Sequence, residues 1–286
     1  MKKFILTADD FGLSKEFNNA VLEGYKKGIL KSASLCVNGV AFLDAVSNII
    51  PQCSNLGIGV HLNIMEGKSL TDCNLLTNKN GFFNNSYLSL ILNSYRKKFL
   101  KQIEIEFRAQ IEKASNLIKI DHLDSHVHVH AIPKIFELTC RLAREYNIKY
   151  IRTQYEKIYF VPGIKKYCNI KYPINIIKVI LLNFFTLKNR KLIKKYKLTT
   201  NDFILGVNYT GMMNTKTIEY GLYKLKKENV VVEALIHPCV YGANSNLNQH
   251  YTEFLIMIDK KLKQEISNMD FDLTNCENIK YEDLTL

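Results

Sequence analysis

Four apolar runs in this 286-residue chain each stop at an acidic residue or a histidine. Residues 4–8 run into Asp9-Asp10-Phe11-Gly12, and residues 56–60 run into His61. Residues 118–123 run into Asp124-Ser125-His126-Val127-His128-Val129-His130, and residues 230–236 run into His237-Pro238. Carboxylates and neutral imidazoles together can hold a divalent metal that activates water. A further carboxylate can then accept a proton and a further histidine can donate one. These residue types are the parts of a metal-assisted hydrolase.

Each signal alone has an ordinary reading. Adjacent strand residues point to opposite faces, so Asp9-Asp10 could close a surface turn or cap the next helix. At a strand end, with Phe11-Gly12 supplying a turn, both could instead face one pocket. Lone strand-end histidines such as His61 and His237 are more often structural than reactive, and their weight comes from the company they keep. Residues 124–130 are the most specific stretch. In an extended segment His126, His128 and His130 would share one face, with Asp124 close enough to orient a ring nitrogen. Spacing does not select which of the three binds.

The elements that must position these residues are short. β-branched, apolar runs predict strands near 3–8, 33–37, 56–61, 118–124, 148–152, 203–208 and 230–236. Apolar spacing predicts helices over 14–30, with Ser14 as N-cap, over 97–117, and over 133–146, opened by Pro133. Strands alternating with helices imply a mainly parallel sheet, whose reactive side chains gather at the carboxyl ends of the strands. The fold expected is therefore α/β: a single irregular (β/α) barrel with about seven mainly parallel strands. One domain is expected over 1–286, with a basic, apolar, insertion-like segment near 154–200.

Within that segment, residues 173–187 are strongly apolar and 188–197 carry Lys188, Arg190, Lys191, Lys194, Lys195 and Lys197. The run falls short of the roughly 18 apolar residues of a membrane span. It could lie on a bilayer as a basic, apolar helix, or pack on the barrel with a solvated basic tail, and its length favours packing. Lys+Arg number 39 against 27 Asp+Glu, a formal net charge of +12. That excess points to an anionic partner or simply reflects scattered lysines. Seven widely spaced cysteines, Cys168 among them, form no C-x-x-C pair and fit reduced thiols. The first apolar run stops at Asp9, so no signal peptide is expected there, and a cytoplasmic location is.

The residues resemble a known family. Thr7-Ala8-Asp9-Asp10-Phe11-Gly12-Leu13-Ser14, Gly59-Val60-His61-Leu62, the stretch His122 through Pro133, and His237-Pro238 are similar, in order, to the signature of the YdjC-like carbohydrate deacetylases. The likeness spans most of the chain and is weakest over 154–200. It implies an irregular barrel with one divalent metal, Mg2+ or Zn2+, held by Asp10, His61 and His126. It implies Asp9 as general base and His237 as general acid, Arg152 beside the substrate, and Asp124 and His128 behind the ligands. Val127 stands where the family pattern has a polar residue.

The activity implied is hydrolysis of the N-acetyl group of an N-acetylated sugar, a chitooligosaccharide or a lipid-linked N-acetylglucosamine, by metal-activated water. The rivals are a phosphoesterase on the same site and a non-catalytic protein binding an anionic surface. Residues 188–197 carry one aromatic, Tyr196, so nucleic acid is not expected as a partner. Peripheral contact with the inner face of a membrane through 173–197, and a homodimer, are the remaining partner options.

Overall fold

The computed structural model describes residues 2–163, 171–227, 229–240 and 249–284, so Cys168 lies outside the described residues. In chain order the elements are β1 (Lys2–Phe11), α1 (Lys15–Lys27), β2 (Ser32–Leu35), α2 (Phe42–Asp44), β3 (Gly57–Leu62), α3 (Tyr87–Asn93), α4 (Lys97–Ser115), β4 (His122–Ser125), α5 (Pro133–Glu145) and β5 (Tyr150–Ile151). They continue with α6 (Lys171–Tyr196), β6 (Phe203–Leu205), α7 (Thr215–Leu225), β7 (Val231–Ile236), α8 (Gln249–Ile258), α9 (Lys260–Asn268) and β8 (Phe271–Thr274).

The strands form one sheet in the order β5-β4-β3-β2-β1-β7-β6, and every pairing is parallel. The seven expected strands are all present. An eighth, β8, pairs with the amino-terminal half of β1, below the point where β2 begins to pair. The two edges meet through residues outside the strands. Thr199 N–H donates to Lys149 O (2.8 Å), Ile151 N–H to Thr199 O (3.0 Å), and Ile204 N–H to Tyr155 O (2.9 Å). These bonds close an α/β barrel along an irregular seam.

Side-chain alternation sorts each strand into a helix-facing set and a lumen-facing set. On β1, Phe4, Leu6 and Ala8 join the main apolar core under the helices, whereas Ile5 packs with Tyr150, Val231, Cys276 and Ile279 inside the barrel. Thr7 and Asp9 continue that inner row, and Thr7 Oγ donates to Glu233 on β7. On β3, Ile58, Val60 and Leu62 face the core, which leaves Gly57, Gly59 and His61 for the lumen. A Cβ on Gly59 would lie 2.2 Å from the His122 ring, so glycine is required where the two strands' inner faces approach. The lumen is thus apolar at its closed end and ionic toward the carboxyl ends of the strands.

The helices follow their apolar spacing. α4 buries Phe99, Ile103, Phe107, Ile111 and Ala114, and α5 buries Ile135, Phe136, Leu138, Leu142 and Ala143. Shorter α3, α7, α8 and α9 and strand β8 carry weaker patterns and were not anticipated from sequence. α6 answers both readings of 173–197. One face, Tyr172, Asn175, Val179, Leu182, Thr186, Asn189 and Ile193, is buried on the barrel, while Ile174, Ile177, Ile180, Phe184 and Leu187 stay exposed. Among the described residues no helix is long and apolar enough to cross a membrane.

Candidate metal centre

Strict alternation would send Asp10 away from Asp9. The register between β1 and β2 instead shifts between Ala8 and Phe11, and Asp10 takes φ 64°. This bulge lets both carboxylates face the barrel mouth, and it sits one residue earlier than the expected Phe11-Gly12 turn. Strand pairing sets His61 directly beside Asp124. Asp124 Oδ1 lies 2.8 Å from His61 Nδ1. A buried carboxylate can only accept here, so Nδ1 carries a proton, and Nε2 is turned toward Asp10 Oδ1 at 3.6 Å. His126 follows β4, and its Nδ1 lies 3.0 Å from the same Asp10 oxygen.

These three donor atoms lie within 4.8 Å of one another. Ligand bonds of about 2.0–2.2 Å at ordinary coordination angles put neighbouring ligand atoms roughly 3.0–3.5 Å apart, so the donor set suits a divalent ion. A second grouping, Asp9, His61 and Asp124, meets the same distance limit. Its carboxylates are already bonded to Arg152 and its histidine points Nδ1 at Asp124, so the first grouping is the better ligand set. Burial alone would raise the Asp10 pKa. The His126 hydrogen bond and the charges of His237, His61 and His126 outweigh it and hold the carboxyl well below the usual range.

Arg152, expected beside the substrate, is fully buried beneath Asp9. Its two terminal nitrogens donate to Asp9 Oδ2 (2.7 Å) and Oδ1 (2.8 Å), a bidentate clamp. Nη1 also lies 2.6 Å from Asp124 Oδ2, and Nε donates to Glu233 Oε1 at 2.8 Å. Ser34 Oγ donates to Asp124 Oδ2 (2.7 Å), and Tyr150 donates to Glu233 Oε2 (2.8 Å). One cation therefore joins three carboxylates through the lumen, which is how buried charges become tolerable. Burial opposes the Asp124 charge, yet Arg152 and His61 keep its pKa well below the ordinary value.

The three histidines after Asp124 do not share a face. Val127 and His128 adopt left-handed backbone, φ 53° and 57°, and fold the chain back. His130 turns inward, its Nδ1 against the Ser125 hydroxyl and its Nε2 donating to Arg152 O at 2.9 Å, and burial pushes its pKa down to about 4. His128, expected behind the ligands, lines the cavity instead, and its buried Nδ1 has no hydrogen-bond partner among the described residues. Burial, then the Arg152 charge, keeps it neutral with a pKa well below the ordinary value.

His237 follows β7 and opens onto the same cavity as Asp9. Glu253, from α8, accepts the His237 backbone N–H at 2.6 Å and lies 3.4 Å from its Nδ1. Burial would lower the His237 pKa, but the Glu253 hydrogen bond, with the Asp10, Glu253 and Asp9 charges, pushes it up to about 10. The cavity encloses about 480 Å3 and is walled by Asp9, His61, His126 and His237 on one side and by Tyr87 of α3 and Lys178, Leu181 and Leu182 of α6 on the other. A larger hollow of about 720 Å3, around residues 211–216, holds none of the candidate residues.

Sequence reasoning did not single out Glu233, Glu253, Ser34 or Tyr87. Glu233 had a signal: it is the one charged residue inside the apolar run 230–236. Glu253 sits in an unremarkable helix, and only the fold brings it to His237.

A family model described as YdjC-like protein matches residues 3–268. A protein of Thermoanaerobacter pseudethanolicus named carbohydrate deacetylase is 34% identical over 161 residues, covering 55% of this chain and 63% of that protein. One of the same name from Clostridium beijerinckii is 37% identical over 149 residues, covering 51% and 58%. The chain thus matches somewhat over half the length of these relatives. Among solved structures, an Enterococcus faecalis protein described as a candidate for cellobiose-phosphate cleavage superposes with TM-score 0.73 at 22% identity, over 96% of this chain and 98% of its own. That likeness concerns the fold.

Proposed function

The chain belongs to the YdjC-like family, and on that footing we propose that it is a metal-dependent hydrolase removing the acetyl group from the nitrogen of an N-acetylated sugar. The observation that carries the reading is the set of roles around one cavity. His61 and His126 of the three convergent donors, the clamped Asp9 carboxylate and a histidine with a raised pKa open onto it, with Asp10 beside the two donor rings. The relatives named carbohydrate deacetylase supply the substrate class.

Asp10, His61 and His126 would hold the divalent ion, which when bound acidifies water and polarises a carbonyl. Asp9 takes the proton of the attacking water. Arg152 occupies one lone pair on each Asp9 oxygen and fixes the carboxylate plane, leaving further lone pairs toward the cavity. Asp124 fixes the His61 tautomer. His237, protonated at neutral pH, gives its proton to the amide nitrogen as the C–N bond breaks, so that amine and acetate leave. Two groups with opposite proton tasks thus face one substrate. The unpartnered Nδ1 of His128 is suited to a sugar hydroxyl.

The test is acetate release from short N-acetylglucosamine oligomers by metal-replete protein, with Asp9→Asn alongside. The variant is expected to keep its metal and lose turnover by a factor of about 10² or more. Phosphate release from a sugar phosphate, without acetate release from any N-acetyl sugar, would replace this reading with a phosphoesterase.

A further inference from the structure

The face of α6 opposite its buried side is apolar. Ile174, Ile177, Ile180, Phe184 and Leu187 recur every three or four residues, one stripe of the helix, and each is between 48% and 68% exposed. Contiguous exposed stripes of this kind mark interaction surfaces. Toward the carboxyl end the same face turns basic, with Lys188, Lys191, Lys194 and Lys195 exposed. Lys188 Nζ sits 4.3 Å over the Phe184 ring, so cation and ring share this surface. The helix contains no aspartate or glutamate.

This surface adjoins the site. Lys178 and Leu181, each one turn on from Ile174 and Ile177, form the cavity wall. Tyr87 of α3 also lines the cavity, and on that helix Leu88 and Leu92, with Tyr95 just beyond, are 64–66% exposed. Exposed apolar surface on two helices therefore adjoins the cavity.

We propose that the outward face of α6, with the α3 rim, docks on an anionic lipid leaflet and brings the cavity up to it. The docking stands on the surface alone and is independent of the deacetylase reading. Charge selects the occupant. A basic, apolar face on a helix without acidic residues complements anionic headgroups over acyl chains, even with Glu137 of α5 3.9 Å from Lys195. It complements a second copy of itself poorly, since α6 offers its own lysines no counter-charge.

The experiment is flotation with phosphatidylglycerol–phosphatidylcholine vesicles, with phosphatidylcholine alone as control, at low and high salt. Wild-type protein is expected to float with anionic vesicles only, and binding should fall at least about tenfold as salt shortens the screening length toward roughly 3 Å at 1 M. Two variants, Ile177→Glu with Phe184→Glu, and Lys191→Glu with Lys194→Glu and Lys195→Glu, should each lose about tenfold or more of that binding. Both should still release acetate from a short soluble oligomer. Because the chain has no tryptophan, a single Ile177→Trp substitution gives a probe that does not depend on those variants folding. Its emission should shift to the blue and be quenched by brominated lipid. Failure of wild-type protein to bind anionic vesicles, or an Ile177→Trp emission unmoved by them, overturns the docking. Loss of a dimer in the Ile177→Glu, Phe184→Glu variant, without vesicle binding by wild type, assigns the face to a second copy. Absence of acetate release with vesicle binding intact removes the catalytic reading and leaves the docking standing.

Discussion

The two walls of the cavity are built on opposite principles. The strand wall is a closed ionic system in which Asp9, Asp124 and Glu233 share Arg152, and Asp10 is shared by His61 and His126. Each group there answers another, so little can change without leaving a charge unpaired. The α6 wall has an apolar outward side, where Ile174, Ile177, Ile180, Phe184 and Leu187 stand exposed. The strand wall is held by charge pairing, and the α6 wall by packing of its buried side on the barrel. The contrast can be broken or sharpened by substitution.

The largest effect is expected at the ligands. His61→Ala should drop bound metal below stoichiometry by elemental analysis and bring acetate release to background. Stoichiometric metal in Asp10→Ala, His61→Ala and His126→Ala alike would remove the assignment. Next comes Arg152→Met, which leaves three buried carboxylates without their cation. Urea unfolding should show a loss of about 3–5 kcal/mol, the scale for breaking one partner out of a buried ionic cluster. A loss under about 1 kcal/mol would mean that the strand wall tolerates unpaired charge and that the contrast is false.

A smaller and more specific change is expected at Glu253. Against the effect of burial, its hydrogen bond, together with the charges of Asp10, Glu253 and Asp9, raises the His237 pKa to about 10. The stability this contributes is complete below the ordinary histidine pKa near 6.5 and is lost as pH rises through about 10. The protonated acid follows the same course. Glu253→Gln should therefore move the alkaline limb of the kcat/KM profile down toward neutral pH. An unmoved limb would separate His237 from the proton donated to the leaving nitrogen. The smallest effect is expected on the other wall, where Ile180→Ser should change unfolding free energy by no more than about 0.5 kcal/mol. A much larger loss would show that the outward face of α6 supports the fold.

What the sequence disclosed follows the same division. As candidates, Asp9, Asp10, His61 and His237 stood out because a polar residue ending an apolar run is anomalous, and the barrel fold gives those ends a common destination; only the family resemblance picked His126 from the three histidines that follow Asp124. The alternation that exposed them also misled. It put His126, His128 and His130 on one face, whereas the left-handed conformations of Val127 and His128 leave the first two at the cavity and turn His130 inward. A β-branched residue at φ 53° is disfavoured locally, so no propensity argument finds this turn. Arg152 was set beside the substrate by the family resemblance alone, and nothing in the local sequence shows that it is buried. Glu253 was silent because its partner lies in another element 16 positions earlier. α6 was ambiguous because it is apolar on both faces, and only packing shows which of them the barrel covers.

β1 also sets a schedule. It carries both Asp9 and Asp10, yet along its length it pairs with β7 on one side and, at its amino-terminal half, with β8. Those strands lie more than two hundred residues further along the chain. At ribosomal speeds of about 5–20 residues per second, β1 waits roughly 10–50 s for β7 to be made. During that interval its apolar residues and one unpaired edge are available to wrong partners. Contacts this distant in sequence also slow closure once synthesis ends. The strand carrying Asp9 and Asp10 is thus made long before the strands that enclose it.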